Sequence, residues 1–373
     1  MQLSELYHEC HSNGHNHLAE GAADGWDEVV ERIARGLHDG TLKPADLDVP
    51  TLKRTAKQLM TAVFEGAGTN FDDPDLGGDQ YDLLQKFEKN IYYFSGFKNY
   101  QQLKEANELL LDENRNIRPF SEFLQLVKKI NTKYNVNYLS AEYGHAVASA
   151  QMATKWQEIQ AQQEYLPFLQ YDTVGDDRVR DEHRGIDGVI RRVDDDFWKT
   201  WYPPNGWNCR CSVRQLDDAT ETPVADIVYP ELLPMFRTNV GMSEVVFPAK
   251  HPYFKNTGKA TSNVINSKVA AIIPARTGPI ISKPVKTLED IDLVLREYAA
   301  RYPKDFARGY KSTGEFTGNI DRMFETDCSG SILISKKDVG YGTKGFIPFK
   351  QLTNALNKIR TKKALSFTEE YAV

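Results

Sequence analysis

The segment 171–216 constrains the fold more than any other part of the 373-residue chain, because it follows neither the helical nor the strand period. It begins Y-D-T-V-G-D-D-R-V-R-D-E-H-R-G-I-D-G-V-I, crosses a bridge rich in Trp and Pro, and ends P-P-N-G-W-N-C-R-C-S-V. Ordinary core segments are apolar and periodic, whereas this one is charged, aromatic and rich in turn residues. It contains His183 and two of the four cysteines of the chain, Cys209 and Cys211. We therefore expect an irregular, loop-rich module.

The composition sets broad limits on fold and function. The length predicts two or three domains of about 100–200 residues each, and 40% hydrophobic with 26% charged residues is typical of a soluble globular protein. A net charge of -6 argues against extensive coating of nucleic acid. We find no apolar run long enough to span a membrane and no secretory signal. Four cysteines are too few for a disulfide framework and favour a reducing cytoplasm.

Periodicity predicts the regular elements. Helices are expected at residues 26–37, 51–64 and 121–130, and the longest helix at residues 138–163. Its small residues, such as Ala146 and Ala150, make it thin enough to pack closely against a neighbour, and we expect it to offer a binding surface to a partner. Short strands are expected at residues 170–174, 189–193 and 211–215.

The C-terminal part has a different composition. Residues 256–286 are rich in Gly, Pro, Ser and Thr, which predicts a linker. A helix is expected from Thr287, a strand at Ser331–Ser335 and a short helix at residues 349–360. The predicted domains are an N-terminal helical region (1–80), the central module (81–255), the linker (256–286) and a small C-terminal α+β domain (287–373).

The central segment could hold a metal ion. His183, Cys209 and Cys211 offer three ligands that zinc accepts, and Asp177, Asp181 or Asp187 could give a fourth. Structural zinc sites usually use Cys-x2–4-Cys, so Cys-x-Cys is a poorer chelate, although on a strand both side chains face the same side.

Two other interpretations of the segment stay open. Cys209 and Cys211 could be buried as small hydrophobes, with Arg210 facing carboxylates. A catalytic pair of His183 as base and Cys209 as nucleophile is also conceivable, but nothing in the sequence places the two together. The alternating arginines and acids predict a network of bidentate ion pairs that would hold the module in one shape.

The segment resembles the signature of the phage Mu F-like minor head proteins, also called the phage head morphogenesis domain. The resemblance covers about residues 81–254, including the helix 141–156. The residues that carry it include Asp177, Arg178, Arg180, His183, Asp187, Gly188, Trp198, Pro204, Gly206, Cys209, Arg210 and Cys211.

Together with the predicted elements, the resemblance leads us to expect an α+β protein with a helical N-terminal half, a loop-rich Mu F-like module and a small C-terminal α+β domain. It implies a minor structural head protein of a tailed phage or prophage, which acts in capsid assembly at or near the portal and is not an enzyme. Portal and capsid proteins, and packaged DNA, are the partners expected from it, with no membrane. The expected location is the virion head, and the host cytoplasm during assembly.

The N-terminal segment concentrates metal-binding residue types. Its histidine density favours a transition metal, with zinc bound through the cysteine and two or three imidazoles. A flexible hydrophilic terminus explains the same composition. The residues concerned are His8, Cys10, His11, His15 and His17.

The C-terminal tail suggests an alternative function. Its lysines and arginines between residues 336 and 363 could contact nucleic acid or an acidic partner, or form a solvated basic face. Some Mu F-like proteins carry toxin-like extensions, and F-T-E-E-Y-A-V at the end resembles the approach to a zincin helix. The alternative is thus a phage-delivered effector with a zincin-like metallopeptidase domain. The His-Glu-x-x-His motif that such an enzyme needs does not occur, so either the gene is truncated or this resemblance is false.

Overall fold

The computed structural model describes residues 2–7, 25–73, 76 and 78–275, and the backbone of the strands 315–319 and 331–335. The chain divides into two units, the first formed by residues 1–68 and 86–273 and the second by residues 69–85 and 274–373. The N-terminal histidine cluster, the predicted helices at residues 287 and 349–360 and the basic tail lie outside the described residues. Helices dominate the described N-terminal half and a small antiparallel sheet follows, which confirms the α+β class.

The helices and strands occupy well-defined ranges. The described helices are α1 Leu3–Tyr7, α2 Asp27–His38, α3 Val49–Ala67, α4 Gly78–Glu108, α5 Phe120–Thr132, α6 Leu139–Gln162, α7 Asp181–Arg184, α8 Trp198–Trp201, α9 Val240–Ser243, α10 Pro252–Lys255 and α11 Lys259–Ala270. A π-helical segment, Lys133–Tyr138, joins α5 to α6. The described strands are β1 Phe168–Asp172, β2 Ile190–Arg192, β3 Ser212–Leu216, β4 Glu315–Asn319 and β5 Ser331–Ser335.

The N-terminal helices form where their sequences predict them. Helix α2 buries Val30, Ile33 and Leu37 on one stripe. Helix α3 is capped at its N-terminus by Asp48, whose carboxylate accepts a hydrogen bond from the backbone N–H of Thr51. These local signals confirm the predicted helices 26–37 and 51–64.

Helix α6 confirms the predicted helix 138–163 but is not the longest. It has 24 residues, whereas α4 has 31. Gly66 of α3 allows the two helices to approach closely, because a Cβ atom there would lie 2.0 Å from the carbonyl oxygen of Val147 in α6. Ala146 and Ala150 are fully buried. The alanine-rich face of α6 therefore packs inside the protein rather than against a partner.

The three predicted strands of the central segment form one antiparallel sheet in the order β2-β1-β3. Leu169, the second residue of β1, pairs with Arg191 of β2 and Gln215 of β3. Leu169 is fully buried. The sheet holds the two ends of the segment 171–216 together and so fixes the frame of the loops between its strands.

The prediction of a linker at residues 256–286 is wrong for its first part. Residues 259–270 form helix α11, in which Ile265 and Val269 are buried. Both side chains lie against Gly96 of α4, where a Cβ atom would come within 2.5 Å of Val269. The exposed face of α11 carries polar residues such as Asn263, Asn266 and Ser267 beside small or apolar ones, which explains why the composition alone indicates a linker. Residues 276–286 lie outside the described range, and the other predicted domain boundaries stay predictions.

A buried polar cluster lies at the centre of the first unit. The carboxylate of Glu142 on α6 accepts hydrogen bonds from the hydroxyls of Tyr7 (2.7 Å) and Tyr253 (3.1 Å) and pairs with the Lys98 ammonium of α4. The ring of Tyr7 stacks at 5.0 Å on that of Trp207. The core is thereby connected to the second half of the signature segment.

In the second unit, β4 and β5 pair as an antiparallel hairpin, with Thr317 opposite Leu333. This confirms the predicted strand Ser331–Ser335. Within the described part of the chain, every helix is too short or too polar to cross a membrane.

Candidate functional site

The first half of the site is the loop and short helix between β1 and β2. Helix α7 carries His183, whose side chain points inward and is 3% exposed. The Asp187 carboxylate accepts a hydrogen bond from the backbone N–H of Thr173 at 2.8 Å. Gly188 adopts φ +74°, a conformation that L side chains rarely adopt, and its N–H donates to the Tyr171 carbonyl at 2.9 Å. These contacts return the chain to the sheet and fix His183 behind it.

The second half of the site is the turn that leads into β3. The indole N–H of Trp207 donates to the Leu6 carbonyl at 2.8 Å, which anchors the turn to the core. Asn208 then takes a left-handed conformation with φ +53°. The next residues run toward β3, so Cys209 and Cys211 face the same side and Arg210 faces the other.

The two halves bring one imidazole and two thiols together. The Sγ atoms of Cys209 and Cys211 lie 3.8 Å and 3.4 Å from Nδ1 of His183. All three residues are buried, and the ligand atoms lie within 4.8 Å of one another. Both cysteines are free thiols. We call these three residues the His-Cys-Cys cluster.

The environment of the cluster makes its two thiols unequal. A hydrogen bond from Cys211, together with the His183 imidazole, lowers the pKa of Cys209 well below its usual range. The neighbouring Cys209 sulfur and burial raise the pKa of Cys211. The cluster therefore stabilises one thiolate in a buried place where a cation would interact with it strongly.

Polar groups around the cluster orient its sulfur atoms. The backbone N–H of Asn205 lies near the Cys209 sulfur, and the Tyr171 hydroxyl lies near the Cys211 sulfur. The Tyr171 hydroxyl donates a hydrogen bond to the side-chain oxygen of Asn205 at 3.2 Å. The Asn205 amide in turn donates to the Thr200 carbonyl at 3.1 Å. The polar groups beside the sulfur atoms are thus held in place by hydrogen bonds of their own.

The remaining signature residues mostly hold the backbone. Arg180 donates to the Trp207 carbonyl at 2.7 Å and lies beside Gly206. Trp198 donates to the Arg192 carbonyl at 2.9 Å. The peptide bond before Pro204 is cis, and Pro204 is buried.

The predicted arginine–carboxylate network is present in part. Arg210 binds Asp176 with two hydrogen bonds of 2.7 and 2.6 Å, and Arg191 pairs with Asp195 at 2.5 Å. The Arg210 guanidinium lowers the pKa of Asp176 below its usual range. Arg178 also reaches Asp176, at 3.4 Å. These pairs are partly exposed, so they fix loop geometry more than they add stability.

Two expectations about the cluster need correction. The side chains of Asp177 and Asp181 are exposed to solvent. The Asp187 carboxylate instead accepts a hydrogen bond from the backbone N–H of Thr173. Among the described residues, no acid joins the cluster within 4.8 Å, so these aspartates are not the fourth ligand. The structure also places His183 beside Cys209, which no feature of the sequence had indicated.

An open groove of about 520 Å³ lies next to the cluster. One wall is a stripe of α6 formed by Gly144, Val147, Ala148 and Gln151. The other wall and floor are formed by Arg178, Arg180, Asn208, Cys209 and Arg210, and Glu65 and Tyr143 also line the groove. We call this the α6 groove.

Sequence reasoning missed two contributors to the site. The backbone of Asn205 and the hydroxyl of Tyr171 reach the sulfur atoms, although both residues stand in the signature segment. The position of Asn205 in P-P-N-G was the available signal, because a buried amide beside prolines must find backbone partners. The α6 groove required the tertiary fold, since its walls come from distant parts of the sequence.

Fold and site together define a shape-holding module, a three-stranded sheet backed by long helices, with a buried His-Cys-Cys cluster. Comparison with known proteins shows what this module is similar to. Residues 114–214, which contain α5, α6 and the cluster, match the family described as Phage Mu protein F like protein.

Two curated relatives carry the same similarity. The chain is 36% identical over 114 residues to the putative capsid assembly protein F of Escherichia phage Mu, which is 31% of this chain and 24% of that protein. It is 46% identical over 52 residues to the Mu-like prophage FluMu F protein of Haemophilus influenzae, which is 14% of this chain and 13% of that protein. The chain thus spans a quarter or less of the length of these relatives. No solved structure matches the chain.

Proposed function

We propose that this protein is a minor structural protein of a tailed-phage or prophage head, acting in capsid assembly at or near the portal. One observation carries the proposal: the Mu F-like match at residues 114–214 includes the whole of the His-Cys-Cys cluster. A relative that shares this region is named as a putative capsid assembly protein. The proposed location is the virion head, reached from the host cytoplasm during assembly.

The α6 groove supports an assembly role, because it offers a preformed surface to a partner. Gly144, Val147 and Ala148 are partly exposed at a spacing of three to four residues, on the side of α6 away from its buried alanines. The arginine wall opposite is held by Asp176 and the Trp207 carbonyl. A rigid groove loses little conformational entropy on binding.

The charge of the groove suits an acidic segment of another head protein, such as the portal or a capsid protein. Its walls carry three arginines, Arg178, Arg180 and Arg210, against one lining acid, Glu65. Asp176 pairs with Arg210 and Arg178, so a positive charge remains on balance. The net charge of -6 over the chain favours a protein partner over packaged DNA. The role needs positioning and recognition only, without catalysis. The effector alternative concerns residues outside the described range and stays a prediction.

Genetic complementation in the phage or prophage that encodes the chain tests this function. Removal of the gene is expected to reduce the yield of complete heads, and the wild-type gene in trans to restore it. Ala148→Trp fills the groove, and we expect this variant not to restore the yield of heads. Gln160→Trp lies at an exposed position of the same helix outside the groove, and we expect it to restore the yield. Normal heads without the gene product would refute the structural role. Full complementation by Ala148→Trp would remove the groove from the proposal.

Cross-linking of purified heads tests the finer placement. The chain is expected to cross-link to the portal protein more than to the major capsid protein. Cross-links spread evenly over capsid subunits would keep the head role and refute the position at the portal.

A further inference from the structure

The His-Cys-Cys cluster has the composition and burial of a soft-metal site. Two sulfur atoms and one imidazole nitrogen converge in a place where Cys209 and Cys211 are 8% exposed and His183 is 3% exposed. Such ligand sets favour zinc over calcium or magnesium, which prefer oxygen. The cluster forms within a single chain, so a metal site here does not depend on the role in the head.

The distances agree with tetrahedral coordination. A zinc ion bound at usual Zn–S and Zn–N lengths places sulfur and nitrogen ligands about 3.6 Å apart. The observed distances from Nδ1 of His183 are 3.8 Å to the Cys209 sulfur and 3.4 Å to the Cys211 sulfur. They lie on either side of that value, so a metal would need only small shifts of the side chains.

The unusual Cys-x-Cys spacing works here because the local backbone supplies the chelate geometry. The turn at Asn208, with φ +53°, leads into β3, where alternate residues face the same side. Arg210 between them is held away by its two bonds to Asp176. Both thiols can therefore reach one ion although only one residue separates them.

Polar groups surround the two sulfur atoms. The Asn205 backbone N–H lies near the Cys209 sulfur, and the Tyr171 hydroxyl lies near the Cys211 sulfur. Arg180 lies near Cys211 and adds positive charge. These groups would offset the negative charge of two thiolates in a buried place.

Space for a fourth ligand exists beside the cluster. A cavity of about 20 Å³ is lined by His183, Cys209, Cys211 and Asn208, among others. One water requires about 10–15 Å³ of such space. Because the described part of the chain offers no carboxylate there, water is the ligand that fits.

We infer that His183 Nδ1 and the Cys209 and Cys211 thiolates bind one Zn²⁺ ion, with water as the fourth ligand. The ion would tie the loop before β2 to the turn before β3, a second link across the irregular segment in addition to the sheet. Each thiol that binds as a thiolate releases its proton to solvent.

Metal analysis of the full-length chain, without a histidine tag, tests the site. Purified protein is expected to contain zinc, and replacement by Co²⁺ is expected to give the thiolate-to-cobalt charge-transfer absorption and the intense visible bands of tetrahedral cobalt. Cys209→Ser and Cys211→Ser should each lose most of the charge-transfer absorption. Cys10→Ser and Cys328→Ser are the matched controls and should retain it, which separates this site from the N-terminal histidine segment.

Two further measurements keep the test decisive if a serine variant fails to fold. His183→Cys supplies a third thiolate and is expected to keep the metal and strengthen the charge-transfer absorption. In the unmodified protein, Cys209 and Cys211 should resist alkylation until a chelator is added, as peptide mass spectrometry would show. Zinc-free protein without thiolate-dependent cobalt absorption, or alkylation indifferent to chelator, would overturn the assignment.

Discussion

Glu142 is the residue around which the core of the first unit is organised. Its carboxylate meets the ammonium of Lys98 and the hydroxyls of Tyr7 and Tyr253, all buried. Burial lowers the pKa of Lys98. Charges removed from water in this way are stable only with their partners, so the pair makes the contacts between α1, α4, α6 and α10 specific.

Removal of Lys98 tests this pairing. Lys98→Met leaves the Glu142 carboxylate buried without its cation, and we expect a loss of about 3–5 kcal/mol in the free energy of unfolding. Lys89→Met, at an exposed position of the same helix, should change it by less than about 0.5 kcal/mol. Urea unfolding compares the two variants, and similar small losses in both would contradict the account.

A second residue-scale prediction concerns His251. Burial lowers its pKa well below the usual 6.5, with further contributions from His145 and Lys98. The folded protein therefore keeps this imidazole neutral, whereas the unfolded chain protonates it below about pH 6.5. Its contribution to stability is complete above that pH and is lost as the pH falls below it, by up to about 1.4 kcal/mol per pH unit.

Urea unfolding at a series of pH values checks the sign of this effect. His251→Asn keeps an acceptor for the Tyr253 backbone N–H and cannot titrate. The variant should lose less stability than the wild type between about pH 6.5 and about pH 5.5. Parallel curves for the two proteins would show that His251 does not carry the pH dependence.

At the scale of elements, the contact between α3 and α6 depends on a single small residue. A Cβ atom at Gly66 would lie 2.0 Å from the Val147 carbonyl oxygen, so Gly66→Ala must push the helices apart. We expect a net loss of about 1–3 kcal/mol, even though alanine favours a helix more than glycine does. Gly258→Ala is the control, because its Cβ atom meets open space; since Gly258 is the N-cap of α11, we expect a loss of less than about 1 kcal/mol. Thermal unfolding compares the stability of the two variants, and equal losses in both would contradict the account.

Helix α11 yields a prediction that separates a packed helix from a linker. Ile265 is fully buried, whereas Val264 is 43% exposed on the same helix. Ile265→Ala should lower the free energy of unfolding by about 2–5 kcal/mol, and Val264→Ala should change it little. If both substitutions leave the free energy of unfolding nearly unchanged in a urea titration, the linker interpretation would be correct.

The elements show where sequence patterns are sufficient and where they fail. Helices α2 and α5 have one apolar stripe each, which the helical period reveals. Helix α4 buries Leu84, Phe87 and Ile91 but also polar residues, so its pattern does not mark one continuous helix. Helix α11 buries only two apolar side chains, and no composition rule distinguishes it from a linker.

At the scale of the molecule, the sequence revealed the module but not its chemistry. The residue types and spacing of the signature segment were enough to suggest the family, and short strands form near the three predicted positions. Their pairing into one sheet was not predicted. Proximity of His183 to the cysteines could not be predicted, since 25 residues separate His183 from Cys209 and only the folded loops bring them together. The prediction of an aspartate as the fourth ligand was wrong for a similar reason. An acidic side chain in an irregular loop can bind a backbone N–H, as Asp187 does, or face solvent, as Asp181 does.

The most direct test of the proposed role is quantitative mass spectrometry of washed, purified heads from the phage or prophage that encodes this chain. We expect its peptides, including those of residues 114–214, at a constant ratio to the portal protein in every preparation. The chain should be missing from heads made without its gene. Peptides absent from washed wild-type heads, or present in amounts that fall with each wash, would contradict its assignment as a head protein.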